Sequence, residues 1–507
     1  MKRASNDAEL LLELAKDVQV FGTEWGDSYA DIETGGHRET WPLTSKEFAN
    51  WLTGCLYKSH GCAVGQSALA TAIRTLTAKA SLKATKHPVF LRVAEFQGMR
   101  YLDLCNDRWE AVEISSTGWK VVAKPPVRFL RLPGMQSLPH PKRDGKIDAL
   151  RPFLGNIADD GFVLVVGYLL AVLNARGPYP LLVYTGSQGS AKSSATRVTR
   201  RLVDPSIDLL GAVPHTQLEE SRAVANNFIQ AWDNVSQIDG RTSDRLCRLS
   251  TGGASPHYWG RLLRPCESNQ RPIILNGIVG FVRRPDLADR AMFVPLGPLF
   301  DTNKMEEEEL ETQFLHAWPK VLGALLDGVV AGLANHRNSV GGKVGRMVDM
   351  VQWVTKCELV LWGKPKFSAD YAASNMMAAE VLSEADPVAS AIVAYIEANS
   401  AFEGTATDLL RALKQSGAPD TNRSRLPNGP SPLSEALTRA EPVLARLGIA
   451  VTRHRAGDGG SRVINIKRVG PDPLTGVKKQ PKPTKVRPFS ERSNQLCLAL
   501  TDDTDDN

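Results

Sequence analysis

The run Leu181-Leu-Val-Tyr-Thr-Gly186-Ser187-Gln188-Gly189-Ser190-Ala191-Lys192-Ser193-Ser194 constrains the chain more than any other. An apolar strand passes through a loop of small residues into a Lys-Ser pair that opens a helix, the order a phosphate cradle requires. Small side chains let backbone N–H groups wrap phosphate oxygens, a lysine reaches the β and γ oxygens, and a hydroxyl ligates Mg²⁺. Lys192 and Ser193 fill the last two roles, so Gly186 to Ser194 is the expected nucleotide loop, with ATP and Mg²⁺ as its ligands. Ala191 stands where the GxxxxGK[ST] pattern has its last glycine. A methyl is tolerated there if the residue has helical dihedrals, since only a positive φ demands glycine. A flexible Gly/Ser loop is the alternative, and the flanking strand and helix speak against it.

Phe228-Ile-Gln-Ala-Trp-Asp233-Asn234 is an apolar stretch ending in an acid about 40 residues after the lysine. A Walker B aspartate belongs there, sharing the metal with Ser193. The neighbour that usually polarises the attacking water is a glutamate; here it is Asn234, and an amide cannot accept a proton. Either Asn234 only orients the water or another carboxylate is the base; Glu219 and Glu220 are near in sequence alone. Arg271-Pro-Ile-Ile-Leu-Asn276-Gly ends a further strand in a polar amide, with a simple cap of the turn at Gly277 as the alternative use. Pro285-Asp-Leu-Ala-Asp289-Arg290 puts an arginine just before another strand, where a salt bridge to Asp286 or Asp289 is the structural alternative.

Lysine loop, acid-ended strand, asparagine-ended strand and pre-strand arginine follow in this order over roughly 105 residues. Together they resemble an AAA+ ATPase. Ser250-Thr-Gly-Gly-Ala-Ser-Pro-His-Tyr-Trp-Gly-Arg261-Leu-Leu-Arg264 resembles the hairpin inserted before the sensor strand in replicative helicases of the superfamily 3 and minichromosome-maintenance type. The chain is similar to the helicase-like proteins of phages and integrated elements related to phage and poxvirus primase-helicases, whose loops can also read GSAKS and whose acid strand can also end in Asp-Asn. The resemblance covers about residues 145 to 300. It implies that Asn276 is sensor 1, that Arg290 is the finger reaching a neighbour's γ-phosphate with Arg284 as its rival, and that Arg346 is a candidate sensor 2. It also implies a homohexameric ring.

At roughly 100 to 200 residues per domain, 507 residues give about three to five folded units. The expected fold class is α/β: a mixed α+β unit over 1–140, an AAA+ P-loop ATPase core over 141–300, a helical lid over 301–385, a winged-helix-like unit over 386–470 and a disordered tail over 471–507. The longest apolar stretch, Gly161 to Ala175, falls short of the roughly 20 residues a membrane span needs. Seven scattered cysteines without a CxxC pair fit reduced thiols in a cytosol, and the resemblance implies that this is the cytoplasm of a bacterial host. Between Arg411 and Arg492 there are 17 Lys and Arg against 6 Asp and Glu, which suits a polyanion. The expected DNA contacts are Arg261 and Arg264 on the inserted hairpin, Arg439 and Arg446 on the third helix of the C-terminal unit, and Arg453, Arg455 and Arg462 on its hairpin; protein contacts are the alternative use of that unit. The expected activity is that of an ATP-dependent DNA helicase or translocase in phage or mobile-element replication, the alternative a nucleotide-gated DNA-binding initiator with little turnover.

Overall fold

The computed structural model describes residues 2–82, 86–252, 256–259, 262–265, 270–298, 307–335, 347–415, 426–455 and 462–470. The chain opens with α1 (Lys2–Leu14), a three-stranded antiparallel sheet of β1 (Gln19–Gly22), β2 (Ser28–Thr34) and β3 (His37–Pro42), then α2 (Lys46–His60) and α3 (Gln66–Leu82). The helices close over the sheet by burying Leu11, Phe48, Leu52 and Leu76 against Val20, Ala30 and Ile32. Sequence periodicity does not show these strands, because a polar group sits inside them. Asp31 is buried and accepts from Thr40 Oγ1 at 2.8 Å and from Arg128 Nε at 2.7 Å.

A second β region follows. β4 (Val89–Phe90) pairs in parallel with β9 (Arg128–Phe129), and β5 (Val93–Phe96), β6 (Met99–Asp103), β7 (Ala111–Ser115) and β8 (Gly118–Val122) form an antiparallel meander. Val89 to Ala94 reads as one alternating strand, but the structure breaks it at Arg92, whose φ is 57°. The break turns that side chain inward.

The centre of the molecule is a four-stranded, all-parallel sheet. A 3-10 helix (Ile147–Phe153) and α4 (Asp159–Leu173) lead into β10 (Leu181–Thr185) and α5 (Lys192–Arg201); α6 (Gln217–Asn226) precedes β11 (Gln230–Val235) and α7 (Gly240–Thr251). The hairpin β12 (Pro256–Trp259) and β13 (Leu262–Pro265) is followed by β14 (Ile273–Gly277), α8 (Pro285–Ala288) and β15 (Ala291–Pro295). The sheet order is β11-β14-β10-β15, with the loop strand β10 inside. Strands buried on both faces read as continuous apolar runs, and β10 and β14 are buried along their whole length.

α9 (Glu307–Ala334), α10 (Val348–Cys357), α11 (Leu359–Trp362) and α12 (Phe367–Ala385) complete the central core. Leu322, Leu325, Val351 and Phe367 are buried in one cluster with α4 and with Val93 and Leu102 of the meander. Glu308–Ala334 is long and apolar enough to cross a membrane by length and composition, although just over half of its most apolar 18-residue stretch is buried inside the molecule. A C-terminal unit follows: α13 (Pro387–Asn399), β16 (Ala401–Gly404), α14 (Ala406–Gln415), α15 (Pro430–Arg446), β17 (Ile449–Arg455) and β18 (Arg462–Arg468). Its sheet order is β16-β18-β17, so a short strand joins the expected three helices and hairpin. α15 packs on the core, and Val443 is buried with Ala378, Ala379 and Leu382 of α12. The tail expected over 471–507 lies outside the described residues.

Arg92 is fully buried and ties the N-terminal region to the sheet. Its Nε donates to Asp204 Oδ1 at 3.1 Å, and its other nitrogens donate to the carbonyls of Asp103, Gln136 and Pro205. The second oxygen of Asp204 accepts from Ile229 N, just before β11, at 2.9 Å. Arg92→Ala leaves that buried carboxylate without its hydrogen-bonded guanidinium, only Arg200 remaining at 4.0 Å, and lowers stability by about 3 kcal/mol, read as a shift of the urea midpoint.

Candidate functional site

The carboxyl ends of β10, β11 and β14 converge at one edge of the sheet, the position where open parallel sheets bind ligands. β10 runs out into the Gly186–Ala191 loop, which folds back on itself. Ser190 is buried, and its Oγ donates to the Ser187 carbonyl at 2.9 Å. Gly186 is required by packing: a Cβ there would stand 2.5 Å from Ser190 Oγ and 2.7 Å from the Leu296 carbonyl. Gly189 is required by its φ of 79°. Lys192 Nζ lies inside the loop, donating to the carbonyls of Gly186 at 3.1 Å and Ser187 at 2.7 Å. Its ammonium and the first turn of α5 therefore face the same small space.

Ala191 corrects one expectation. It precedes α5 with φ 60° and ψ 23°, in the left-handed region and not the helical one. The alanine thus adopts the backbone shape that the missing glycine would supply, at a cost of roughly 1–2 kcal/mol.

Ser193 Oγ donates to Asp233 Oδ1 at 2.7 Å, so the structure brings together the two residues expected to share a metal. Two hard oxygens in contact suit Mg²⁺, which prefers oxygen donors and keeps several waters. β11 bulges between Trp232 and Val235, and Asn234 takes a φ of 53°. The bulge turns the Asn234 N–H toward β14, where Asn276 Oδ1 accepts it at 3.0 Å. Asn276 Nδ2 donates to Thr196 Oγ1 at 2.9 Å, and Thr196 Oγ1 donates to the Lys192 carbonyl at 2.8 Å. Asn276 is buried and bridges the acid strand to α5; it does not merely cap the turn at Gly277. The sequence motifs do not point to Thr196; its one signal there is its place one helical turn after Lys192.

Neither neighbouring glutamate is available as a base. Glu219 closes a capping box with Thr216, and hydrogen bonds from the His215 and Thr216 N–H groups hold its carboxyl below the usual range. Glu220 is buried against Arg245 at 2.9 Å; burial raises its carboxyl, opposed by Arg245 and Arg248.

The two candidate trans arginines differ in access. Arg290 is 6% exposed and its Nη1 donates to the Asp286 carbonyl. Neither expected carboxylate partner holds it: Asp289 pairs with Arg446, and Asp286 with Arg284. Arg284 has 44% of its side chain exposed and also meets Asp244 at 3.1 Å. Among the expected DNA contacts, Arg446 and Arg453 are engaged within the chain. Arg446 is drawn to Asp289 of the core, and Arg453 to Glu441 and to Thr438. Arg439, Arg455 and Arg462 are exposed, with Arg455 directly opposite Arg462 in the β17–β18 hairpin. Arg261 and Arg346 lie outside the described residues, and of Arg264 only its place in β13 is described.

With the site in view, the chain can be placed. Residues 147–359 match the family model of the actinomycete integrative conjugative element replication protein, and residues 388–482 match that of the AICE RepA C-terminal domain. The two matches take in more than half of the chain, which belongs to the AICE RepA family of replication proteins. A search of curated proteins finds no match. Among solved structures, the apo C-terminal region of NrS-1 is similar at 11% identity over 89% of this chain and 97% of its own, with a TM-score of 0.42. SCCmec type IV Cch, described as an active helicase, is similar at 10% identity over 89% and 93%, with a TM-score of 0.44. JCV helicase is similar at 12% identity over 47% and 60%, with a TM-score of 0.22.

Ala191→Gly removes the left-handed penalty, less the entropy a glycine adds to the unfolded chain, and stabilises the protein by up to about 1 kcal/mol. Ala191→Val destabilises it by about 1–2 kcal/mol, because a β-branched residue fits that backbone worst. Scanning calorimetry of the two variants shows opposite shifts.

Proposed function

We propose that this replication protein is an ATP-dependent DNA helicase or translocase of a mobile element, with an AAA+ type P-loop core and a winged-helix C-terminal unit, working in the cytoplasm of a bacterial host. The observation that carries the reading is the Ser193–Asp233 contact beside the Lys192 loop. Lysine and hydroxyl from the start of α5 and the carboxylate from β11 meet at the carboxyl edge of one parallel sheet.

The loop N–H groups and Lys192 would bind the phosphates of ATP, and Ser193 and Asp233 would hold Mg²⁺. When bound, Mg²⁺ neutralises charge between the β- and γ-phosphates. Asn276 holds the bulge at Asn234 through its backbone N–H, and the Asn234 amide would orient a water by hydrogen bonding, without taking its proton. The residue completing the site in trans is read as Arg284 in preference to Arg290, because Arg284 is the exposed one. That assignment requires a ring, read as a homohexamer, in which hydrolysis depends on the subunit interface. DNA as partner is supported by the like-charged Arg455–Arg462 pair: such opposition in a hairpin is unfavourable alone and is relieved by an anion.

A second reading is favoured by Asn234 and by the engagement of both Glu219 and Glu220 elsewhere. In it the protein is a nucleotide-gated DNA-binding initiator that binds ATP with little turnover. Phosphate release with single-stranded, forked and duplex DNA separates the two. The helicase reading expects DNA-stimulated turnover that falls at least about 100-fold in Lys192→Ala and Asp233→Ala; no turnover beside normal ATP binding selects the initiator.

Mixing Lys192→Ala and Arg284→Ala proteins, each inactive alone, restores part of the activity if the site is shared between subunits. The same mixture made with Arg290→Ala restores none if Arg290 serves only its own fold.

A further inference from the structure

A cleft of about 440 Å³ separates the core from the C-terminal unit. Arg283 and Pro285, leading into α8, line one wall, and Ala436, Arg439 and Val443 of α15 line the other. Both guanidiniums are exposed. Among the described residues neither has a carboxylate partner, and Arg283 donates only to its own loop, at the Gly280 carbonyl, 3.3 Å away. The one acid lining the cleft is Asp386. Its Oδ1 is spent on the first turn of α13, accepting from Val388 N at 2.8 Å and Ala389 N at 3.1 Å. The cleft is therefore net positive, and its apolar lining offers surface for sugars and bases. Its walls are also held in place. Leu382 and Val443 share one buried cluster, and Arg446 pairs with Asp289 across the same boundary.

We propose that this cleft is a binding groove for a nucleic-acid strand, in which Arg283 and Arg439 hold backbone phosphates from opposite walls. The inference rests on the DNA-directed reading above and deepens it, because a strand lying there touches the ATPase core and the C-terminal unit together. Arg283 is the immediate neighbour of Arg284, so an occupied groove also bears on the arginine offered to the next subunit.

The test is fluorescence anisotropy of a labelled oligothymidylate titrated with the full-length protein across a salt series. Arg283→Ala and Arg439→Ala should each weaken binding several-fold, and the double variant roughly tenfold or more. Each removed arginine should lower the slope of log affinity against log salt by about 0.7, the value for one single-strand phosphate contact. Arg74→Ala/Arg108→Ala removes the same charge from the exposed N-terminal surface and should change affinity by less than about twofold. A double cleft variant that binds like the parent, or a control that loses as much, overturns the groove. ATP binding by calorimetry separates this failure from that of the functional reading. A parent protein that binds ATP and DNA, beside a cleft variant that loses neither, overturns the groove alone; a parent that binds neither overturns both.

Discussion

One carboxylate joins the parts of this molecule that must keep their distances. Asp204 stands just beyond α5, accepts Arg92 from the N-terminal region and holds the backbone at the start of β11. Arg200, in the last turn of α5, lies 4.0 Å from it and donates to the carbonyls of Asp208 and Leu209 and to Asn227. A buried charge is tolerable only with such partners. The helix that carries Lys192 and the strand that carries Asp233 are thus fixed to one point at the end remote from the ligand edge, and the N-terminal region is fixed with them.

At the ligand edge a second polar link does the matching work. Asn276 connects the bulged end of β11 to α5 through Thr196, so the acid strand, the middle strand and the lysine helix keep one register. Gly277 permits this closeness, since a Cβ there would lie 2.2 Å from the Val235 carbonyl. Hydrogen bonds at both ends of these strands hold the edge in one arrangement, so its polar groups keep their places without reorganising.

Much of this was legible in the sequence, for a physical reason. Strands buried on both faces spell themselves as apolar runs, and Thr185, Asp233 and Asn276 stand out as the polar ends of such runs. Other features were not. β1 to β3 hide a buried Asp31 inside the sheet, so no alternation marks them. The left-handed Ala191 runs against its own propensity. The choice among Asp286, Asp289, Arg284, Arg290 and Arg446 depends on which groups meet in space: charge in sequence suggested a partner for Arg290, whereas folding gave both acids to other arginines.

The burial of Val443 beside Leu382 has a consequence for how the chain can be divided. The two segments that match separate family models share one buried cluster, which holds Val443 together with Val183 of β10, Leu275 of β14 and Leu382 of α12, and they share the Arg446–Asp289 pair. Severing the chain near Asp386 would bare Ala378, Ala379 and Leu382 to water and strip Asp289 of its counter-charge, leaving a sticky, acid-marked scar on the excised core.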